Sequence, residues 1–266
     1  MNGYIRLETL DLVLAALLLF LNGGLSLAFS LGLEKRLLIA GARMVVQLAA
    51  VGLVLKALFA TVSPWLTGGV ALLMILFAGR EIVARQERPF AGWWAYGLGV
   101  GCMATAAVAV TLFALTAQVQ ADPWYHPRFA LPLLGMVLGN TMTGIALGMD
   151  TLTTAIPRER AAVEAQLALG ATRFEAMRPL ARSAMRSALM PMINAMAATG
   201  LVALPGMMTG QILSGVDPIE ATKYQLLIMF LIVGGTGLGS VSAVLGGVLR
   251  ATDERHRLRP ERLRKV

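Results

Sequence analysis

Seven apolar runs, each close to the length of a bilayer crossing, leave this chain few folds to choose from. They cover about 9–31, 37–60, 64–80, 91–117, 131–150, 188–213 and 224–249. A hydrocarbon core of roughly 30 Å takes about 20 residues of helix. Only a helix or a closed barrel bonds all its own backbone polar groups in lipid. No series of ten-residue alternating strands competes, and 57% hydrophobic residues with a mean hydropathy of +0.70 exclude an ordinary soluble domain. The sequence therefore predicts an all-α membrane protein, a bundle of about seven transmembrane helices forming one membrane domain over 1–266.

Charge sets the expected orientation. With the N-terminus outside, every Lys and Arg except Arg6, Lys56, Arg128 and Lys223 falls on the cytoplasmic side, including the basic tail 250–266. That asymmetry predicts N-out, C-in. The net charge of +8 then reports topology and contact with anionic membrane lipid, and calls for no nucleic acid. Ser26-Leu27-Ala28 resembles a signal cleavage site, but Glu8 and Asp11 beside Arg6 depart from a basic n-region, so the first run is read as a retained span. Cys102 is the sole cysteine and has no internal disulfide partner.

Between the fifth and sixth runs lies the one long polar stretch, 151–187. Pro157 suits a helix start, and Glu159 would sit in its first turn. Gly170 is placed to stop that helix, and Thr172-Arg173-Phe174-Glu175 fits a capping box that opens a second. The expectation is a helix–turn–helix on the cytoplasmic face. Arg178, Arg182 and Arg186 recur every four residues as a basic stripe, read as facing lipid head groups in preference to a partner protein.

Polar residues inside the apolar runs mark either packing contacts or a path. Gln47, Asn140, Asn194 and Gln211 are such residues, joined by Met207 and Met208 beside the break expected at Pro205. Fifteen methionines offer soft thioethers, but also serve as core filler, so a metal set stays unknown. His126 and His256 read as surface residues.

The missing parts are informative. None of the four lysines, Lys35, Lys56, Lys223 and Lys265, follows a glycine, so there is no phosphate-binding P-loop. HExxH, CxxC and Ser/His/Asp sets are also lacking. The chain reads as a non-enzyme that binds no cofactor of its own. Ionisable groups within the spans are scarce, which weakens proton coupling. A gradient-driven secondary carrier and a non-transporting scaffold subunit remain the rival readings.

Glu164-Ala165-x-x-x-x-Gly170 resembles the coupling loop of ABC importer permeases, one residue off in spacing and without the I-x-L-P that follows there. The runs GNTMTGIALGMD (139–150), EAQLALGATRFEAMRPLARSAMRSALMPMINAM (164–196) and LPGMMTGQILSGVDPIEATKYQLLIMF (204–230) resemble the FetB family of ABC permeases, linked to iron export in bacteria and, in plant relatives, to aluminium tolerance. The resemblance implies an inner-membrane permease that works with a separate ATPase subunit binding ATP and Mg. It implies two copies of each, with a metal ion or chelate as substrate. It places ATPase coupling on Glu164, Ala165, Leu167, Gly170, Thr172 and Glu175.

Overall fold

The computed structural model describes residues 8–264, and among them every extended element is an isolated bridge within a helical fold. The helices are α1 (Thr9–Ala28), α2 (Glu34–Ala60), α3 (Pro64–Ala84), α4 (Trp93–Phe113), α5 (Pro127–Arg158), α6 (Arg160–Ala168), α7 (Arg173–Ala198), α8 (Gly206–Leu213) and α9 (Pro218–Ala251). The chain divides after Val62 into two units.

In the first unit α1 and α2 form a hairpin. The Ser26 hydroxyl accepts the Leu33 N–H at 2.9 Å and donates to the Glu34 carboxylate at 3.1 Å, tying the turn together. Gly41 leaves room for Leu19 on the facing helix.

The second unit is built around α5, which packs against α3, α4, α7 and α9. Small residues make that possible, because helix backbones in lipid gain contact only by approaching closely. A Cβ placed on Gly144 would lie 2.7 Å from the Ser240 hydroxyl, 2.8 Å from a Thr236 methyl and 3.2 Å from the Ala188 carbonyl. Around this crossing Met103, Ile145, Leu152, Ile156, Met177 and Val244 are fully buried.

Among the described residues six helices, α1 to α5 and α9, are long and apolar enough to span a bilayer. The expected sixth span, 188–213, is not one helix. It is divided between α7 and α8 by non-helical residues 199–205, with Gly200 at φ +92° donating its N–H to the Ala203 carbonyl. Pro205 stands at the far edge of this break, as the N-cap of α8.

The tail also differs from a plain basic extension. The Asp253 carboxylate accepts the Arg255 and Arg257 N–H groups and the Arg257 and Arg259 guanidiniums. Arg262 and Arg264 then pair their backbones with Ala91 and Pro89, while Leu258, Leu263 and Phe90 are buried. Desolvation pushes the Asp253 carboxyl up, but the Arg257 N–H and the Arg259 and Arg257 guanidiniums outweigh it and hold it below the usual carboxylate range. A depressed carboxyl stabilises the fold above its unfolded value of about 3.9 and loses that contribution only as pH falls through the lowered folded value. The clasp around Asp253 therefore stays charged throughout the neutral range.

Two outcomes test this packing. Gly144→Leu is expected to destabilise the chain by about 1–3 kcal/mol, read as a lower denaturation midpoint in detergent, while Gly234→Ala, with open space beside it, leaves the midpoint unchanged or higher. Asp253→Asn is expected to speed hydrogen exchange several-fold at the Ala91 and Arg264 amides at pH 7, without loss of the helical signal.

Candidate functional site

The polar stretch folds into a ledge at the basic end of the second unit. Its start is not where Pro157 pointed. Leu152 and Ile156 are buried in the core and carry α5 on past the apolar run, so Pro157 lies inside the last turn of α5. Its missing N–H weakens that turn, and the helix ends at Arg158. Glu159 then caps α6.

On α6 the apolar residues face inward. Val163 is buried and Leu167 packs against the core, while Glu164 and Ala165 are exposed, with Glu164 paired to Arg160 at 2.8 Å. The helix closes as a Schellman turn, in which Ala171 donates to the Gln166 carbonyl and Gly170 to the Leu167 carbonyl. Gly170 has φ +92°, a conformation that a β-branched residue reaches only under strain. Leu169 beside it is 88% exposed, an apolar side chain presented to whatever meets the ledge.

Thr172 opens α7 as the sequence predicts. Its hydroxyl accepts the Glu175 N–H at 3.3 Å, and the Glu175 carboxylate takes the Thr172 N–H at 2.8 Å. The Thr172 backbone N–H and hydroxyl, helped by the nearby Arg178 charge, hold the Glu175 carboxyl below its ordinary value. Glu164, Ala165, Leu167, Gly170, Thr172 and Glu175 thus all fall within one compact element.

Sequence reasoning missed what secures the ledge. His256, read as a plain surface residue, accepts the Arg173 N–H on Nδ1 at 3.1 Å, bringing the tail onto the first turn of α7. Nearby, the Asp150 carboxylate accepts the Glu87 N–H at 2.7 Å and fixes the α3–α4 loop to α5. Leu258 and Leu263, spaced among the tail's charges, were the available signal.

On the flank of α7, Arg178, Arg182, Arg186, Ser183, Ser187 and Met190 line a groove of about 1010 Å3.

The path candidates are more dispersed. Gln47 is exposed on α2, in the first unit. In the second, Asn140 is exposed and donates to the Met136 carbonyl of its own helix, and Asn194 is exposed on α7. On α8, Met207 is exposed, the Thr222 hydroxyl lies 4.0 Å from the Met208 sulfur, and the Gln211 side-chain amide oxygen, Oε1, is buried without a partner. No hydrogen bond joins any two of these residues among those described. Nor do three His, Cys, Asp or Glu side chains gather anywhere among them.

The UPF0014 family, described as an uncharacterised protein family, matches residues 9–251. UPF0014 membrane protein slr1647 of Synechocystis is 38% identical over 230 residues, 85% of this chain and 86% of its own length. Escherichia coli "Probable iron export permease protein FetB" is 30% identical over 257 residues, 96% of each chain. Arabidopsis thaliana "Protein ALUMINUM SENSITIVE 3" is 31% identical over 220 residues, 82% of this chain and 78% of its own. No solved structure matches.

Thr172→Ala should cost about 1 kcal/mol of local stability through the lost cap. Faster hydrogen exchange in the first turn of α7, with α5 unaffected, is the expected readout.

Proposed function

Because this chain belongs to the UPF0014 membrane protein family, we propose that it is the permease subunit of an ABC transporter, driven by a separate ATPase subunit. The observation that carries the reading is the ledge. A short helix is anchored to the core by Val163, presents Glu164, Ala165 and Leu169 outward, and turns through Gly170 directly into a long helix. Such an element is suited to fit a cleft on a partner and to pass on its movement. The positive-inside asymmetry supports placing the ledge in the cytoplasm, where ATP is available.

The mechanism follows from continuity. From Arg173 to Ala198, α7 runs about 39 Å at 1.5 Å per residue as one helix, with Pro179 and Pro191 inside it each removing one backbone hydrogen bond. Closure of an ATPase pair on ATP pushes the ledge, and the displacement reaches the non-helical residues 199–205. Leu201 and Val202 are 95% and 85% exposed there, which supports a second copy of the chain as the cover and a complex of two permeases with two ATPases. Asn140, Asn194, Met207, Met208 and Gln211 are the proposed path residues of the second unit, and Gln47 is a separate candidate on the first. The relative named for iron export makes iron, or a complex of it, the first cargo to test, moving outward.

The test is co-expression with a candidate ABC ATPase subunit. The two are expected to co-purify, and cargo is expected to stimulate hydrolysis. Gly170→Val, expressed and inserted normally, should lower cargo-stimulated hydrolysis at least tenfold, because a left-handed turn is lost at the docking element. If a folded, monodisperse chain binds no ATPase and transports without ATP, the permease reading gives way to a gradient-driven carrier.

A further inference from the structure

The groove on α7 is a large concave feature that the ledge and the tail leave unused. Arg178, Arg182 and Arg186 are exposed along it, with the Ser183 and Ser187 hydroxyls between them and no acidic residue in the lining. Arg178 senses Glu175 one turn earlier, whereas Arg182 and Arg186 make no ion pair or hydrogen bond among the described residues. The groove therefore offers a column of donors to a ligand and, apart from backbone, little that would accept.

Helix register gives the depth of this column. A Cβ on Gly148 would lie 3.4 Å from the Ala184 carbonyl, and one on Gly144 3.2 Å from the Ala188 carbonyl, so α5 and α7 run antiparallel with 182 level with 150 and 186 level with 146. Asp150 is where α5 holds the α3–α4 loop. Arg182 thus sits at the loop level, Arg178 one turn outside it and Arg186 one turn toward the bilayer. The three span about 12 Å along the helix. Lipid phosphates form a layer that such side chains reach by bending toward one level, whereas a solute moving along the helix axis meets all three charges in turn. A second copy set directly against this face would bring like charges together, unless an anion lay between them.

Resting on the permease reading above, we propose that this groove is the cytoplasmic vestibule and that cargo enters it as an anion. The ligand class is a carboxylate- or phosphate-bearing solute, free or as an anionic metal chelate. A bare divalent cation is repelled at the same place. Bidentate guanidinium contacts supply the recognition, and the serine hydroxyls add neutral donors.

The experiment uses the full chain, without an ATPase, in nanodiscs of neutral phosphatidylcholine. Citrate, ferric citrate, pyrophosphate and ferrous chloride are titrated by calorimetry. At least one of the anions is expected to bind saturably, more weakly at high salt, with Kd raised tenfold or more in R182Q/R186Q. The R182K/R186K variant, which keeps the charge but loses the guanidinium fork, should recover only part of the affinity, its salt-sensitive part. Saturable binding of ferrous chloride alone, unchanged in R182Q/R186Q, would overturn the proposal. So would a result in which no soluble anion binds and the double variant loses only retained phosphatidylglycerol, which would make the groove a head-group site. Because binding is read on the permease by itself, failure here is distinct from failure to recruit an ATPase.

Discussion

The close approach of α5 to α7 and α9 is the constraint on which the second unit depends. Lipid offers no hydrophobic reward for bringing apolar helices together, so contact has to come from fit. At Gly144 and Gly148 the backbone of α5 lies against carbonyl oxygens of α7, and at Gly239 and Gly247 α9 takes up Thr141 and Leu152 from α5. With α5 gripped on both sides, its last turns are held rigid beyond the apolar run. The ledge inherits its position from that grip, as α6 follows α5 after a single residue.

Much of this was legible in the chain. Long apolar runs fix helices because unsatisfied backbone is intolerable in lipid, and that rule admits few exceptions. Gly170 and Thr172–Glu175 were equally legible, since each acts through local geometry within a few residues. The elements that sequence misplaced are those set by distant contacts. Pro157 has two compatible roles, at the first turn of a helix or near its last, and the burial of Ile156 decides between them. The apolar run 188–213 suggested one crossing, with Pro205 as a local break. The non-helical segment instead begins six residues earlier, at Thr199. The tail's fold rests on pairings with Pro89 and Ala91, which no local pattern announces.

Candidate path residues were the least legible. Polarity at depth marks a side chain as costly, but a helix can absorb that cost itself, as Asn140 does by donating to the Met136 carbonyl. The arginine stripe shows the opposite case. Its periodicity was plain and suggested head groups, yet the register of α7 against α5 sets the three charges at three depths. The turn out of the ledge, the non-helical break at 199–205 and the arginine groove thus all belong to or adjoin a single helix, α7.

The bond from the Arg173 N–H to His256 joins residues 83 apart in the chain. During synthesis α7 leaves the ribosome long before its first turn can receive that acceptor, and the whole of α9 must be threaded into the bilayer in between. The ledge thus acquires its last support only after the final span is seated. A chain caught midway through insertion would present an unfinished ledge, so whatever meets the ledge meets it complete only once the last helix is in place.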